Sequence, residues 1–385
     1  MEALKLLDIV AGGENSRVQL KENVTNATSV AQEIVAFANG KGGQLIIGVN
    51  DKTGEITGLS FSDLQRINNL LTTAANELVK APIVIETETV DVGGKKVILA
   101  HIPEGTAKPH TDKDGLIFVK NGSDKRKVTS REELSRMLQS SGNLYAEEKI
   151  LYHSSYNDFD WDKFKKFFEQ KYKSTPSFDE LDRHIHNFRL GNDKYLNVAG
   201  ALLFGKNMQR LLPQFLVTAV WFAGNELTDI VYRSSEDIRG TIDEQYSRGL
   251  NFIQTKINYI QGNKSFNSLG EPEIPILVFS EILINALIHR DYFVNDSVKI
   301  FIFNNRIEIK SPGRLPNSLT VDEMRLGMRK SRNFILASIL PDLVDYRGIG
   351  SGILRALQLY PSIDFEHFPE AEQFNVIIHR PKNEY

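Results

Sequence analysis

The stretch PILVFSEILINALIHRDY, residues 275–292, decides how the C-terminal half of this chain folds. Most of its residues from Pro275 to His289 are apolar, which predicts a helix buried in a protein core. Glu281, Asn285 and His289 recur at every fourth position, so they share one stripe of that helix. A buried carboxylate without a partner is costly. We therefore expect the stripe to face a ligand, a metal ion or water, unless Glu281 pairs with a basic side chain.

A glycine-rich segment, RGIGSG at residues 347–352, comes directly before a helix predicted to end at Tyr360. Glycines let backbone amides approach phosphate oxygens, and the N-terminus of a helix adds a favourable dipole. Alternating glycines also occur at ordinary helix entries. The segment supports phosphate binding only in combination with the polar stripe of the preceding helix.

Strands and helices alternate around these two motifs. Strands are predicted at 215–223 and 227–232, a long helix at 242–260, a hairpin at 298–309, a helix at 333–340 and a final strand at 373–380. The order predicts a mixed α+β fold for this half of the chain.

The combination of motifs resembles the GHKL ATPase superfamily of DNA gyrase, histidine kinases and mismatch-repair ATPases, in which one helix carries Glu-x-x-x-Asn. The resemblance covers residues 214–385 and implies an α/β sandwich that binds ATP and magnesium. It implies that Glu281 activates the attacking water and that Asn285 coordinates the magnesium ion. It also assigns five further residues to the nucleotide site: His289, Gly313, Gly348, Gly350 and Gly352.

One motif of this superfamily is absent. Ser311-Pro312-Gly313 stands where the superfamily has an Asp-x-Gly-x-Gly box, whose aspartate binds the adenine amino group. However, EILINALIHRDY (281–292), RIEIKSPGRLP (306–316) and Arg332-Asn333 together are similar to a bacterial branch in which the Ser-Pro-Gly form is usual. Adenine selectivity therefore stays open at this stage.

The N-terminal half contains a second diagnostic stretch, AFANGKGGQLIIGV at residues 36–49. A helix is predicted to begin at Ser29 as its cap, to stop at the glycine turn, and to be followed by a buried strand that enters a hairpin. With VKNGS at 119–123, this pattern resembles the Schlafen AlbA-like DNA-binding domain. We predict three domains: 1–142 of this type, a small helical connector at 143–213 that also fits a winged helix, and the ATP-binding domain at 214–385.

A basic cluster near the end of the first domain predicts contacts with DNA or RNA. It consists of Lys120, Lys125, Arg126, Lys127 and Arg131, and against Asp124 alone it carries a net charge of +4. Such a cluster can neutralise several phosphates. The alternative is a solvated loop and helix start.

Some Schlafen-type domains are metal-dependent ribonucleases that use three carboxylates. The resemblance places Glu14, Gln19 and Asp51 at these positions. Gln19 is neutral, and a divalent cation prefers anionic oxygen ligands. Nucleic-acid binding is therefore favoured over cleavage, although Glu22 could substitute.

Composition sets the remaining limits. The chain has 385 residues, no cysteine, and 46 Lys plus Arg against 49 Asp plus Glu, for a net charge of −3. This excludes disulfides, thiolate metal sites and a globally basic nucleic-acid coat. Residues 1–10 carry three charged residues and lack the apolar core of a signal peptide. We expect a cytoplasmic protein without a membrane partner, as a monomer or homo-oligomer.

Two functions remain from these observations. The first is a nucleotide-regulated nucleic-acid-binding protein of the transcriptional-regulator type. The second is an ATP-gated, metal-dependent nuclease that acts against foreign nucleic acid. The neutral Gln19 favours the first.

Overall fold

The computed structural model describes residues 3–142, 144–229, 231–260, 270–315, 319–328, 330–344 and 352–381. The chain divides into two compact units, Met1–Leu144 and Tyr145–Tyr385. Gly348 and Gly350, which the sequence assigns to the nucleotide site, lie outside the described residues.

The N-terminal unit is built from a mixed sheet with helices on both faces. Its helices are α1 (Ala3–Ala11), α2 (Ala27–Asn39), α3 (Phe61–Thr73) and α4 (Arg131–Ser140), with a π-helical turn at Ala74–Leu78. Its strands are β1 (Val18–Lys21), β2 (Gly43–Ile47), β3 (Val79–Lys80), β4 (Glu86–Val92), β5 (Lys95–Ile102), β6 (Thr111–Asp112), β7 (Phe118–Asn121) and β8 (Asp124–Lys127). The main sheet has the order β1-β2-β5-β4, and β1 runs parallel to β2. Side chains of α2 and α3 form the core on one face, and α1 covers the other.

The start of α2 differs from the prediction. Asn26, and not Ser29, is the cap, because its side chain accepts hydrogen bonds from the backbone N–H groups of Thr28 and Ser29. The glycine turn after α2 is where it was expected. Gly42 has φ +71°, and a Cβ there would lie 2.7 Å from the carbonyl oxygen of Ile102, so only glycine fits.

The predicted hairpin after the glycine turn is present only as a short antiparallel return, without a second strand. Strand β2 pairs in antiparallel register with β5, far along the chain, and in parallel with β1. After β2 the chain does turn back antiparallel, through an isolated bridge between Val49 and Ile56 and through hydrogen bonds from Asn50 N–H to the Glu55 carbonyl at 2.8 Å and from Thr57 N–H to the Gly48 carbonyl at 2.9 Å.

The C-terminal unit is a helical layer on a six-stranded sheet. Its helices are α5 (Trp161–Tyr172), α6 (Leu181–Asn187), α7 (Val198–Phe204), α8 (Met208–Leu211), α9 (Ile242–Gln254), α10 (Ile276–His289), α11 (Val321–Arg325), α12 (Phe334–Leu343) and α13 (Gly352–Leu359), with 3-10 turns at Ala146–Glu148, Tyr156–Asp158 and Phe178–Glu180. Its strands are β9 (Val217–Phe222), β10 (Tyr232–Ile238), β11 (Tyr259–Ile260), β12 (Glu271–Pro272), β13 (Val298–Ile302), β14 (Arg306–Pro312), β15 (Ile363–Phe368) and β16 (Gln373–His379). The sheet order is β10-β9-β13-β14-β16-β15. The predicted mixed α+β fold is confirmed.

The predicted connector, residues 143–213, shares one hydrophobic core with the sheet that follows it. Phe164 and Phe204 from the connector belong to the same buried cluster as Ile300 and Ile378 from the sheet. The described residues of this segment form helices joined by isolated bridges, without the paired strands of a wing. The structure thus groups the connector with the C-terminal half.

Helix α10 lies at the centre of this unit. It packs against α9, α13 and β14, and most of its side chains are buried. This packing places the predicted polar stripe against the end of β14 and the start of α13.

Candidate nucleotide and nucleic-acid sites

A cavity of about 360 Å³ opens beside α10. Its lining includes Asn285 and His289 from α10, Ser311 and Gly313 from the end of β14, and Gly352 from the start of α13. The structure therefore brings together four of the residues predicted for the nucleotide site, and the serine that replaces the expected aspartate. Its size is within the range of small-molecule sites.

Asn285 presents an amide to this cavity. Its Nδ2 donates a hydrogen bond of 2.6 Å to the backbone carbonyl of Glu281, one turn earlier. An amide oxygen is a suitable ligand for magnesium, which in phosphate-binding sites needs only one or two protein ligands besides the phosphates. The residues present therefore fit a magnesium ion that is held jointly by Asn285 and a nucleotide.

Gly313 shapes the cavity through its backbone. Its φ is +111°, and its N–H donates to the carbonyl of Glu372 at 2.6 Å. A Cβ at this position would lie against the Cβ of Asp291, 2.9 Å from Nη1 of Arg332 and 3.0 Å from the backbone N of Asp291. Glycine is therefore required by both conformation and space.

The motif residues Arg332 and Asn333 hold the walls of the cavity together. Arg332 Nη1 lies 3.2 Å from the Asp291 carboxylate, and Nη2 donates to the carbonyl of Arg314. Burial lowers the pKa of Arg332, and the Asp291 carboxylate opposes this shift. Asn333 Nδ2 donates to the carbonyls of Ile288 and Arg290, each at 2.8 Å, at the end of α10. In the sequence, Arg332 and Asn333 were identified only as part of a family motif. The structure shows that they hold neighbouring segments of the cavity wall together.

Ser311 does not offer a substitute for the missing aspartate. Its hydroxyl is buried and donates to the carbonyl of Ala286 at 2.9 Å. This bond joins β14 to α10. A serine in this bond has no carboxylate with which to bind an adenine amino group.

Glu281 is fully buried, and its Oε1 lies 2.6 Å from Nη2 of Arg355 on α13. Of the two alternatives for the polar stripe, Glu281 therefore follows the one in which it pairs with a basic side chain. Asn285 and His289 line the cavity, and Glu281 is not among the described residues that line it. No pattern in the sequence pointed to Arg355.

The connector also contributes to this region. The buried carboxylate of Glu147 accepts backbone hydrogen bonds from Ile335 at 2.9 Å and Leu336 at 3.0 Å, in the first turn of α12. Burial raises the pKa of Glu147 to about 7, and these hydrogen bonds oppose the shift. Helix α12 in turn supplies Ala337 and Pro341 to the cavity.

In the N-terminal unit, the residues predicted for a degenerate nuclease site surround a lysine instead of an open pocket. Gln19 Nε2 donates to the Glu14 carboxylate, and Gln19 Oε1 accepts a hydrogen bond of 2.5 Å from Lys120 Nζ. Lys120 also lies 3.6 Å from Glu33, a residue of α2 that sequence reasoning missed although it is an isolated acid in an apolar helix. Burial lowers the pKa of Lys120, and Glu33 and Glu14 oppose this shift.

This arrangement does not fit a divalent cation. Gln19 is an amide and brings no negative charge. The ammonium of Lys120 already compensates the negative charge of the two carboxylates, Glu14 and Glu33. Asp51 is exposed and lies 3.8 Å from Lys21. In the part of the chain that the structure describes, no three His, Cys, Asp or Glu side chains are grouped to hold a metal ion.

The basic cluster is less positive than its sequence indicated. The side chain of Lys120 is only 3% exposed, so it is not a surface phosphate ligand. Lys125 lies 3.2 Å from Glu33, and Arg126 makes two hydrogen bonds to Glu133, at 2.9 and 2.6 Å. The net charge of +4 was counted over residues 120–131 alone. Glu33 and Glu133 lie outside that segment and offset two of its positive charges. Lys127 and Arg131 are exposed.

Two family models match the chain. Residues 14–129 match the model described as "Schlafen, AlbA_2", and residues 295–377 match "Putative ATP-dependent DNA helicase recG C-terminal". The Schlafen resemblance and the ATPase-like resemblance of the C-terminal half are therefore confirmed. Together they indicate a nucleic-acid-binding module followed by an ATPase-like module. No curated protein matches the chain significantly.

Solved structures show more distant similarity. The DIP2311 protein from Corynebacterium diphtheriae is 19% identical, with 98% of this chain and 80% of that chain covered and a TM-score of 0.46. The N-terminal domain of a RecG-related protein from Nitrosomonas europaea is 26% identical, with 34% of this chain and 96% of that chain covered and a TM-score of 0.26. Among the described helices, none has the length and apolar character needed to cross a bilayer.

Proposed function

We propose that this chain is a nucleotide-regulated nucleic-acid-binding protein of the transcriptional-regulator type, whose C-terminal unit binds ATP with magnesium. The observation that supports this most is the cavity beside α10. It collects Asn285, Gly313 and Gly352 from three separate elements, and these residue types suit a metal-bound phosphate chain.

The rest of the cavity also suits a nucleotide. Apolar side chains such as Ile288, Ile309 and Val376 line it and can contact a planar base, while Arg314 and Lys330 supply positive charge. Phosphoryl sites work mainly by positioning and charge neutralisation. When bound, ATP and magnesium would supply the polyphosphate charge and a bridging cation, and Asn285 would hold that cation.

Asn285→Ala should weaken magnesium-dependent ATP binding by about tenfold or more, because it removes a metal ligand whose loss typically costs that much or more in affinity. Calorimetry of ATP binding with and without magnesium measures the effect. Asn375→Ala is the matched control, since Asn375 is a buried amide of β16 in the same unit that is not among the cavity-lining residues. No ATP binding by the wild-type protein at millimolar concentration would refute the nucleotide site.

The N-terminal unit is proposed to bind DNA or RNA through its exposed cations and not to cleave it. The residues at the three nuclease positions do not fit a metal ion, which disfavours the alternative of an ATP-gated nuclease effector. Lys127 and Arg131 remain the best candidates for phosphate contacts, because both are exposed.

The double variant Lys127→Glu/Arg131→Glu should weaken nucleic-acid binding and reduce the salt dependence of the affinity. Two lost phosphate contacts on a duplex should lower the slope of log K against log salt by about 1.8. Fluorescence anisotropy across a salt series measures both changes. Lys41→Glu/Lys80→Glu, with the same charge change at exposed positions outside the cluster, is the control.

This double variant is a more specific test of nucleic-acid binding than charge reversal at Lys125, Arg126 and Lys127. Glutamate at 125 or 126 would face Glu33 or Glu133 and would disturb the fold itself. An affinity equal to that of wild type at every salt concentration would show that the cluster is only a solvated surface.

A further inference from the structure

The ion pair between Glu281 and Arg355 joins the two helices that border the nucleotide cavity. Glu281 is fully buried on α10, and its Oε1 lies 2.6 Å from Nη2 of Arg355, whose side chain is 34% exposed. Asn285, one turn after Glu281, and Gly352, one turn before Arg355, both line the cavity. Each partner of the ion pair is therefore about one helical turn away from a residue that lines the proposed phosphate site.

The two partners differ in how easily they can move. Glu281 is on a helix most of whose side chains are buried, and it has no exposed surface itself. Arg355 is partly exposed, and its Nε is buried with no hydrogen-bond partner. The arginine is therefore the partner with unused hydrogen-bonding capacity and access to solvent.

A terminal phosphate can compete with a carboxylate for a guanidinium, because it carries more charge and three acceptor oxygens. Helix α13 begins at the cavity, and its N-terminus adds positive potential at the same place. A polyphosphate that enters the cavity would therefore lie about one turn of α13 away from Arg355.

We propose that Arg355 exchanges partners, pairing with Glu281 in the nucleotide-free protein and with the terminal phosphate of bound nucleotide. The exchange rests on the proposed nucleotide site. It makes Arg355 a phosphate-binding residue, and it releases the Glu281 carboxylate only when the phosphate chain is in place. While the site is empty, Arg355 therefore compensates the charge of the Glu281 carboxylate, which stays away from water.

The first test compares ATP with adenosine, which lacks phosphates, in calorimetry with magnesium. Arg355→Met should weaken ATP binding by about tenfold or more, the scale of a charge-assisted hydrogen bond, and leave adenosine binding unchanged. Arg355→Lys should recover part of the ATP affinity. Arg325→Met is the control, because Arg325 has similar exposure in the same unit but lies near Asp364 of β15 and not near Glu281.

The second test uses thermal unfolding of the single variants Arg355→Met and Glu281→Gln and of the double variant. Without nucleotide, Arg355→Met should lower the melting temperature, since it leaves a buried carboxylate without its arginine, and adding Glu281→Gln should restore it. With saturating ATP and magnesium, this coupling between the two positions should disappear.

The outcomes separate the two proposals. The exchange is refuted if wild-type protein binds ATP but Arg355→Met weakens the binding of ATP and of adenosine equally, or weakens the binding of neither. Arg355 is then a structural residue. Coupling that persists unchanged with ATP bound refutes the exchange as well. If wild-type protein binds no nucleotide, the nucleotide site itself is refuted, and the exchange with it.

Discussion

If the protein hydrolyses ATP, Glu281→Gln is expected to retain ATP binding and to lose about 10²-fold or more of the turnover, the usual scale for the loss of a general base. Glu281 precedes Asn285 by one helical turn on the same stripe of α10. In the nucleotide-free protein this carboxylate is buried against Arg355. Once bound phosphate releases it, as proposed above, it can accept the proton of a water that attacks that phosphate. Glutamine has the same shape but cannot accept that proton.

The matched control is Glu308→Gln. Glu308 is also a buried carboxylate in ion pairs, with Arg306 at 2.6 Å and Lys310 at 2.9 Å, and it is not among the cavity-lining residues. Phosphate release under saturating ATP measures turnover, and calorimetry measures binding in the same samples. Equal turnover for Glu281→Gln and wild type would remove Glu281 from the mechanism.

Gly313→Ala is expected to destabilise the C-terminal unit by about 3 kcal/mol or more, through a strained backbone conformation and an overpacked contact. At φ +111° alanine is disfavoured, and its Cβ would collide with the Cβ of Asp291. Asp291 cannot move aside easily. Its N–H donates to the carbonyl of Pro312 at 2.8 Å, and its carboxylate pairs with the buried Arg332.

Gly327→Ala separates the two causes. Gly327 also has a positive φ, +86°, but the nearest atom to its added Cβ is the end of a flexible side chain, Cδ1 of Leu354 at 2.6 Å. It should therefore cost much less than Gly313→Ala. Denaturant unfolding, with tryptophan fluorescence as the probe, gives both values, since both tryptophans lie in the C-terminal unit. A loss for Gly313→Ala no greater than for Gly327→Ala would contradict the packing argument.

Local structure was predictable where local interactions decide it. The apolar run after Pro275 forms α10 as expected, and the helix predicted at 333–340 is present as α12. Ser130, directly before α4, caps that helix by accepting a hydrogen bond from the Glu133 N–H. In each case, apolar periodicity or a cap within a few residues carries the information.

Long-range pairing was not predictable in the same way. Strand β2 pairs with β1 and β5 and not with the segment that directly follows it in sequence, and β15, at the sheet edge, was missed. An edge strand with alternating exposed residues has a weak pattern. Strand partners depend on how helices cover the sheet, which no local segment encodes.

The sequence was sufficient to select the residue types of both sites: the Glu281 and Asn285 spacing, the glycine at 313 and the neutral Gln19. Only the tertiary structure decided their surroundings. It buried Glu281 against Arg355, and it placed Lys120 between Gln19 and Glu33. The physical reason is that helical spacing fixes which side chains share a face, whereas the compensation of a buried charge depends on residues that come close only when distant elements pack.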